Sequence, residues 1–169
     1  MKQKNLWILC GVPGSGKSYW ANIEAKKNNG IIISRDKIRF EKLKEEEDYF
    51  SHEKEVFKDF ITAIQKAIKN NECDNIYADA THLNFASRYK ILKNLRIPKE
   101  VNVYCAYFSV PLEVCLARNA QRTGRAYVPE DTIKDMKIKT LTIPTAEEGF
   151  DAVFVIDENG NNLGKLQNN

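Results

Sequence analysis

Short apolar runs alternate with longer segments of mixed polarity along the chain. Five runs have the length and the β-branched or aromatic content of buried strands; they are residues 6–10, 31–33, 75–78, 101–108 and 152–156. The segments between them predict helices at about 16–27, 48–69, 86–95, 112–122 and 130–139. This alternation predicts an α/β fold with a five-stranded, mainly parallel sheet and helices on both faces. We expect one domain over residues 1–156 and an Asn- and Gly-rich tail at 157–169 that forms a turn and a frayed end.

Composition and charge exclude a disordered or fibrous chain. Of the 169 residues, 43% are hydrophobic and 29% charged, as in an ordinary globular domain. The formal net charge of +3 is too small to predict nucleic-acid binding by itself, so a basic site would have to be local. Residues 41–59 contain eight acids and four lysines, and we expect them to form a solvated helix face.

The apolar runs and the cysteines bear on the cellular compartment. No run is long enough for a transmembrane helix, and residues 6–10 lead into a glycine loop without a signal-peptide cleavage site. The four cysteines lack metal-ligand spacing and are expected to be reduced and packed as small hydrophobes. These features predict a cytoplasmic protein without a membrane partner.

The strongest motif is Gly11-Val12-Pro13-Gly14-Ser15-Gly16-Lys17-Ser18, a P-loop (G-x-x-x-x-G-K-[ST]) between the first strand and the first helix. Glycines let the backbone curl so that successive N–H groups point at phosphate oxygens, and the helix N-terminus adds a positive dipole. Lys17 can reach the β- and γ-phosphates, and the Ser18 hydroxyl can bind Mg²⁺. The motif predicts binding of ATP and Mg²⁺. The predicted contacts are Gly11, Pro13, Gly14, Ser15, Gly16, Lys17 and Ser18.

Two aspartates follow predicted strands, at the edge where α/β sheets bind ligands. Asp79 ends the third strand and could hold Mg²⁺, cap the next helix, or do both. Asp36 follows the second strand and could take the proton of a hydroxyl acceptor or serve only as a helix N-cap. Arg39, one helical turn beyond, could bind a substrate phosphate or lie in water. His82 could line the site or make only a local hydrogen bond.

A basic stretch follows the fourth strand. Arg118, Arg122 and Arg125 have the spacing of one helix face, and Gly124 is expected to end that helix. A guanidinium can pair with the charge on a transferred phosphoryl group. We therefore predict a mobile lid at about 118–129 that binds the nucleotide, with a solvated basic face as the alternative.

The ordered set of these motifs resembles the 5′-hydroxyl polynucleotide kinase domain. The likeness extends over about residues 6–156 and rests on the P-loop and on residues 34–39, 79–84, 118–122, 128–129 and 144–150. It implies a P-loop NTPase-type kinase fold and ATP-dependent phosphorylation of 5′-OH ends of DNA or RNA. It also implies that Asp36 is the general base, that Arg39 binds the acceptor, and that Arg122 is the lid arginine on the donor phosphates, with Lys17 in its usual catalytic place.

The chain also departs from that family. Such kinases often show Asp-Thr-Asn after the third strand, whereas this chain has Ala80-Thr81-His82, which leaves Asp79 open between a metal and an acceptor role. The D-x-D-G-T signature of a fused phosphatase domain does not occur, so end repair would require a separate phosphatase or ligase partner. Two alternatives stay open: a kinase of a nucleoside, sugar or antibiotic, and a non-catalytic nucleotide-binding module.

Overall fold

A computed structural model describes residues 3–167 and contains a six-stranded sheet of order β2-β3-β1-β4-β5-β6. The strands are Lys4–Cys10 (β1), Gly30–Ser34 (β2), Asn75–Asp79 (β3), Val101–Phe108 (β4), Ala152–Ile156 (β5) and Asn162–Lys165 (β6). The first five pair in parallel, which confirms the predicted fold class.

The prediction of five strands is wrong because the tail adds β6, antiparallel to β5. The Asp157 carboxylate accepts hydrogen bonds from the backbone N–H groups of Asn159 and Asn161, so the chain turns back along β5. All four residues of β6 are exposed, and such a strand carries no apolar pattern for sequence analysis to detect.

Within residues 3–167, six α-helices connect and flank these strands. They are Lys17–Lys27 (α1), Arg35–Lys42 (α2), Glu53–Lys69 (α3), Phe85–Lys93 (α4), Leu112–Ala120 (α5) and Glu130–Asp135 (α6), which continues as a π-helical turn at Met136–Thr140. Shorter 3-10 turns lie at Gly124–Ala126 and Ala146–Glu148. The helix α3 begins five residues later than expected, because residues 48–52 belong to a loop.

The helices that follow β2 and β3 are capped by residues other than Asp36 and Asp79. Ser34 caps α2 by accepting a hydrogen bond from the Lys37 N–H. Asn84 caps α4 and forms a reciprocal capping box with Ser87. The N-cap alternatives for Asp36 and Asp79 are therefore wrong, and both carboxylates are left for other contacts.

The sheet has an apolar core on each face. On one face α3 and α4 pack against β1 and β3, with Phe60, Ile64 and Ile91 buried among the strand residues. On the other face α1, α5 and α6 contribute Trp20, Cys115 and Ile133. Because β1, β2 and β3 run parallel, the loops that follow them meet at the carboxyl edge of the sheet. The four cysteines are buried and free, and within residues 3–167 no helix is long and apolar enough to cross a membrane.

Candidate nucleotide and acceptor site

The P-loop curls between β1 and α1 through two glycines in left-handed conformations. Gly14 and Gly16 have φ angles of 84° and 89°. A Cβ atom at Gly14 would lie 2.4 Å from the carbonyl oxygen of Cys115, so no other residue fits there without displacing α5. The N–H groups of Gly11 and Ser15 donate to the carbonyl oxygens of Thr81 and Val12, so an anion would be bound by the other N–H groups of the curl.

The Gly14→Ala variant is expected to bind ATP about 10-fold more weakly or worse, because the added methyl group strains φ and collides with α5. Isothermal titration calorimetry with ATP measures this loss. Gly164→Ala is the matched control, since Gly164 also has positive φ (98°) but has nothing within 4 Å of the added Cβ. Equal ATP affinity of the two variants would contradict the close approach of Gly14 to the Cys115 carbonyl oxygen.

Lys17 is buried inside this loop. Its Nζ donates a hydrogen bond to the Val12 carbonyl oxygen at 3.0 Å and lies 3.5 Å from the Ser15 hydroxyl. Burial lowers the pKa of the ammonium group; Asp79 opposes this shift and Arg122 adds to it. An ammonium group whose nearest partner is a neutral carbonyl can exchange it for a phosphate oxygen.

Ser18 and Asp79 meet at the first turn of α1. The Ser18 hydroxyl donates a hydrogen bond of 2.6 Å to Asp79 Oδ2, and Asp79 is buried at the end of β3. A hydroxyl and a carboxylate oxygen at one point are ligands that Mg²⁺ prefers. Residues 3–167 contain no group of three or more His, Cys, Asp or Glu side chains placed to hold a metal. The pair therefore fits an ion that keeps water and phosphate oxygens as its other ligands, as Mg²⁺ does.

A cavity of about 200 Å³ opens beside the P-loop, and two of the predicted lid arginines line it. Arg118 Nη1 donates to the Gly14 carbonyl oxygen at 3.4 Å, and its Nη2 donates to the Glu158 carbonyl oxygen. Arg122 is exposed and makes a long contact (3.5 Å) with the Ala126 carbonyl oxygen. Tyr19, which no sequence motif indicates, also lines the cavity and is 70% exposed.

The three arginines do not share a helix face, and that expectation is wrong. The helix α5 ends at Ala120, before Arg122. Asn119 ends it by exchanging two hydrogen bonds with the backbone of Val128, which folds the chain back on itself. Of the predicted lid, residues 118–120 belong to α5 and residues 121–129 form an irregular loop with one 3-10 turn. The mobility of this lid stays a prediction.

Arg125 lies against a different part of the chain. Its guanidinium donates hydrogen bonds to three backbone carbonyl oxygens of the loop before α3, those of Lys44, Glu45 and Glu47. It does not line the cavity beside the P-loop. The structure thus joins the lid to the acid-rich loop through Arg125, whereas contact of Arg125 with the nucleotide stays a prediction.

Asp36 lies in the first turn of α2 with its side chain 58% exposed. Its Oδ1 accepts hydrogen bonds from Arg39 Nη1 and from the Tyr49 hydroxyl, the latter at 2.6 Å. Within residues 3–167 no protein donor contacts Oδ2. One carboxylate oxygen is therefore held by Arg39 and Tyr49, whereas binding of an acceptor hydroxyl by Asp36 stays a prediction.

Arg39 is buried and supports Asp36. Its Nη2 donates to Glu53 at 2.8 Å, and its guanidinium lies 4.1 Å from the centre of the Tyr49 ring. Glu53 also pairs with Arg35. The expectation that residues 41–59 are a solvated helix face is wrong for Glu53 and for Tyr49, which close this network. A direct contact of Arg39 with an acceptor stays a prediction.

The Tyr49→Phe variant is expected to lower kcat about fivefold, because it removes one hydrogen bond from Asp36 but keeps the ring on Arg39. Burial and the neighbouring Asp36 raise the pKa of Tyr49 far above its usual value, so its hydroxyl stays protonated and donates. Steady-state kinetics should show an unchanged KM for ATP. Tyr104→Phe on β4 is the control. A Tyr49→Phe enzyme with the wild-type kcat would show that the hydrogen bond from Tyr49 to Asp36 does not contribute to phosphoryl transfer.

Comparison with known proteins agrees with this fold. The AAA domain family AAA_33 matches residues 6–140. A chain in the structure of the Pnkp1/Rnl/Hen1 RNA repair complex superposes with a TM-score of 0.65 at 22% identity, over 85% of this chain and 49% of that chain. The chain thus spans about half the length of that relative. No curated protein matches it in sequence.

Two further solved structures share the fold at low identity. A fungal RNA kinase superposes with a TM-score of 0.64 at 12% identity, over 92% of this chain and 75% of that chain. A sugar kinase from Janibacter sp. HTCC2649 superposes with a TM-score of 0.62 at 16% identity, over 93% of this chain and 86% of that chain. The predicted P-loop kinase fold is confirmed.

Proposed function

The chain belongs to the AAA domain family AAA_33, and from this premise we propose that it is an ATP-dependent kinase that phosphorylates 5′-hydroxyl ends of DNA or RNA. The main support for this proposal is a series of neighbouring residues that links the P-loop to Asp36. Ser18 of the P-loop contacts Asp79, Asp79 pairs in register with Ser34, and Asp36 follows Ser34 by two residues. A γ-phosphate on the P-loop and a hydroxyl at Asp36 would therefore lie on one edge of the sheet.

The proposed reaction is mostly one of positioning. The loop N–H groups and Lys17 hold the donor, and Ser18 with Asp79 would hold Mg²⁺, which neutralises phosphate charge when bound. Asp36 orients the acceptor hydroxyl and takes its proton on Oδ2. A bond forms between the acceptor oxygen and the γ-phosphorus, the bond to the β–γ bridging oxygen breaks, and ADP leaves. Arg122 and Lys17 stabilise the charge on the phosphoryl group in transfer.

Two solved neighbours support a nucleic-acid acceptor, since one is an RNA kinase and the other belongs to an RNA repair complex. That complex also supports the proposal of a separate repair partner, a phosphatase or a ligase. The second candidate function is phosphorylation of a small molecule. It is favoured by the sugar kinase and by a gluconokinase from Sinorhizobium meliloti 1021, each of which matches 93% of this chain.

Transfer from γ-labelled ATP separates these two functions. The enzyme is offered 5′-OH DNA and RNA oligonucleotides beside nucleosides and gluconate, at 50 and 200 mM salt. We expect label on the oligonucleotides, at a rate that falls with salt because phosphate contacts release counterions. Label on a small molecule alone would assign the second function.

A further inference from the structure

A second cavity of about 200 Å³ is lined by none of the P-loop residues. Its walls come from α2, α3, α4 and the loop after β3. The lining residues are Arg35, Phe57, Phe60, His82, Ser87, Lys90 and Ile91. Like the equally large cavity beside the P-loop, it can enclose only part of a drug-sized ligand.

His82 is 4% exposed and is one of the residues that line this cavity. Its Nδ1 lies 2.6 Å from the Leu9 carbonyl oxygen, which can only accept, so Nδ1 carries the hydrogen. Burial lowers the pKa of the imidazole to about 4, so at neutral pH Nε2 is an acceptor. No partner for Nε2 is found within residues 3–167. A buried acceptor without a partner is unfavourable, and a hydroxyl donor would satisfy it.

Two cations frame the same cavity. Arg35 and Lys90 lie 5.4 Å and 4.3 Å from the centre of the Phe57 ring. Arg35 pairs with Glu53 through Nη2, while its buried Nε has no partner in the described part of the chain. Two cations beside one carboxylate leave an excess of positive charge, which suits a phosphate group.

Contacts connect the cavity with the proposed base. Glu53 accepts from Arg35 on the cavity side and from Arg39 on the other, and Arg39 pairs with Asp36. Arg35 also directly precedes Asp36 in α2. The cavity and the proposed base are therefore joined by one network of ion pairs.

We propose that this cavity binds a ribose-phosphate unit of an RNA acceptor: Arg35 and Lys90 contact the phosphodiester, and His82 Nε2 accepts a hydrogen bond from the ribose 2′-hydroxyl. The inference rests on the proposed function and specifies its substrate as RNA. The 2′-hydroxyl is the group by which a protein distinguishes RNA from DNA. DNA has no donor at this position and would leave Nε2 unpaired.

The test is a scan of single sugars in a 5′-OH RNA hexamer. One ribose at a time is replaced by 2′-deoxyribose or by 2′-O-methylribose. For each hexamer we measure the KM for its phosphorylation and the Kd of its complex with the enzyme in the absence of ATP. We expect both replacements to raise KM and Kd about 3- to 10-fold at one position near the 5′ end. Neither replacement can donate a hydrogen bond, so they should act alike.

Variants then assign the effect to the cavity. In the His82→Asn variant the discrimination at that position should disappear, because asparagine tolerates the positive φ of 40° and its amide can donate to Leu9 while Nε2 is lost. Lys90→Gln should reduce the salt slope of oligonucleotide binding by about one. Lys93→Gln is the matched control on the same helix, because Lys93 lies over Tyr89 and does not line the cavity.

The possible results distinguish failure of the ribose subsite from failure of the proposed kinase function. Phosphorylated hexamers with equal KM at every position would overturn the ribose subsite and leave the kinase proposal standing. Discrimination that persists in His82→Asn would overturn the assignment to this cavity. If no oligonucleotide is labelled and only a small molecule is, the proposed function fails and the subsite fails with it.

Discussion

Replacing Asp36 by asparagine is expected to lower kcat for phosphoryl transfer about 10³-fold, the range typical of general-base removal. The asparagine oxygen can still accept from Arg39 and Tyr49, as Asp36 Oδ1 does, so the network around it should survive. What disappears is the charged oxygen at Oδ2, the atom that would take the acceptor proton. Because the side chain lies outside the P-loop, ATP affinity should change little.

Single-turnover transfer and ATP calorimetry on the same preparation measure both quantities. Asp48→Asn is the control, an acid-to-amide change in the acid-rich loop before α3. An Asp36→Asn enzyme within threefold of the wild-type rate would show that Asp36 is not the base. A parallel loss of ATP binding would point to a role in the donor site instead.

The second large effect concerns stability and comes from Arg88. This residue of α4 is fully buried, and its Nε and Nη2 donate to the two carboxylate oxygens of Glu148 at 2.7 and 3.0 Å. It also donates to Thr142 Oγ1 and to the His82 carbonyl oxygen, each at 3.0 Å. Arg88 thereby joins α4 to the segment before β5 and fixes the loop that carries His82.

The Arg88→Met variant should lower the free energy of unfolding by about 3–5 kcal/mol, because Glu148 stays behind as a largely buried charge without its partner. Urea denaturation measures the change. The double variant Arg88→Met/Glu148→Leu should recover part of the loss, since apolar replacement of both partners of a buried pair costs less than removing one. A loss below 1 kcal/mol in the single variant would contradict the assigned importance of the pair.

The features that the sequence predicts correctly are those encoded by short local patterns. The parallel strands are short apolar runs, and the P-loop is eight consecutive residues whose spacing alone sets their chemistry. Asp36 and Asp79 are found because strand ends in a parallel sheet share an edge. Each of these features is encoded within a few residues of chain.

The unpredicted features depend on contacts between distant residues. Arg88 and Glu148 are 60 residues apart, and Arg125 binds backbone carbonyls, for which no side-chain pattern exists. Tyr49 and Glu53 lie in an acid-rich stretch whose composition indicates only solvation, although the arginines of α2 need partners. The exposed strand β6 has no buried residue to mark it.

The most direct test of the proposed kinase is the destination of the phosphate. A 5′-OH RNA hexamer and the same hexamer with a 5′-phosphate are incubated with γ-labelled ATP, Mg²⁺ and the enzyme, and the labelled product is digested to nucleotides. We expect label on the 5′-terminal nucleotide of the first hexamer and none on the second. Equal labelling of both, or label on neither while gluconate or a nucleoside is labelled, would contradict it.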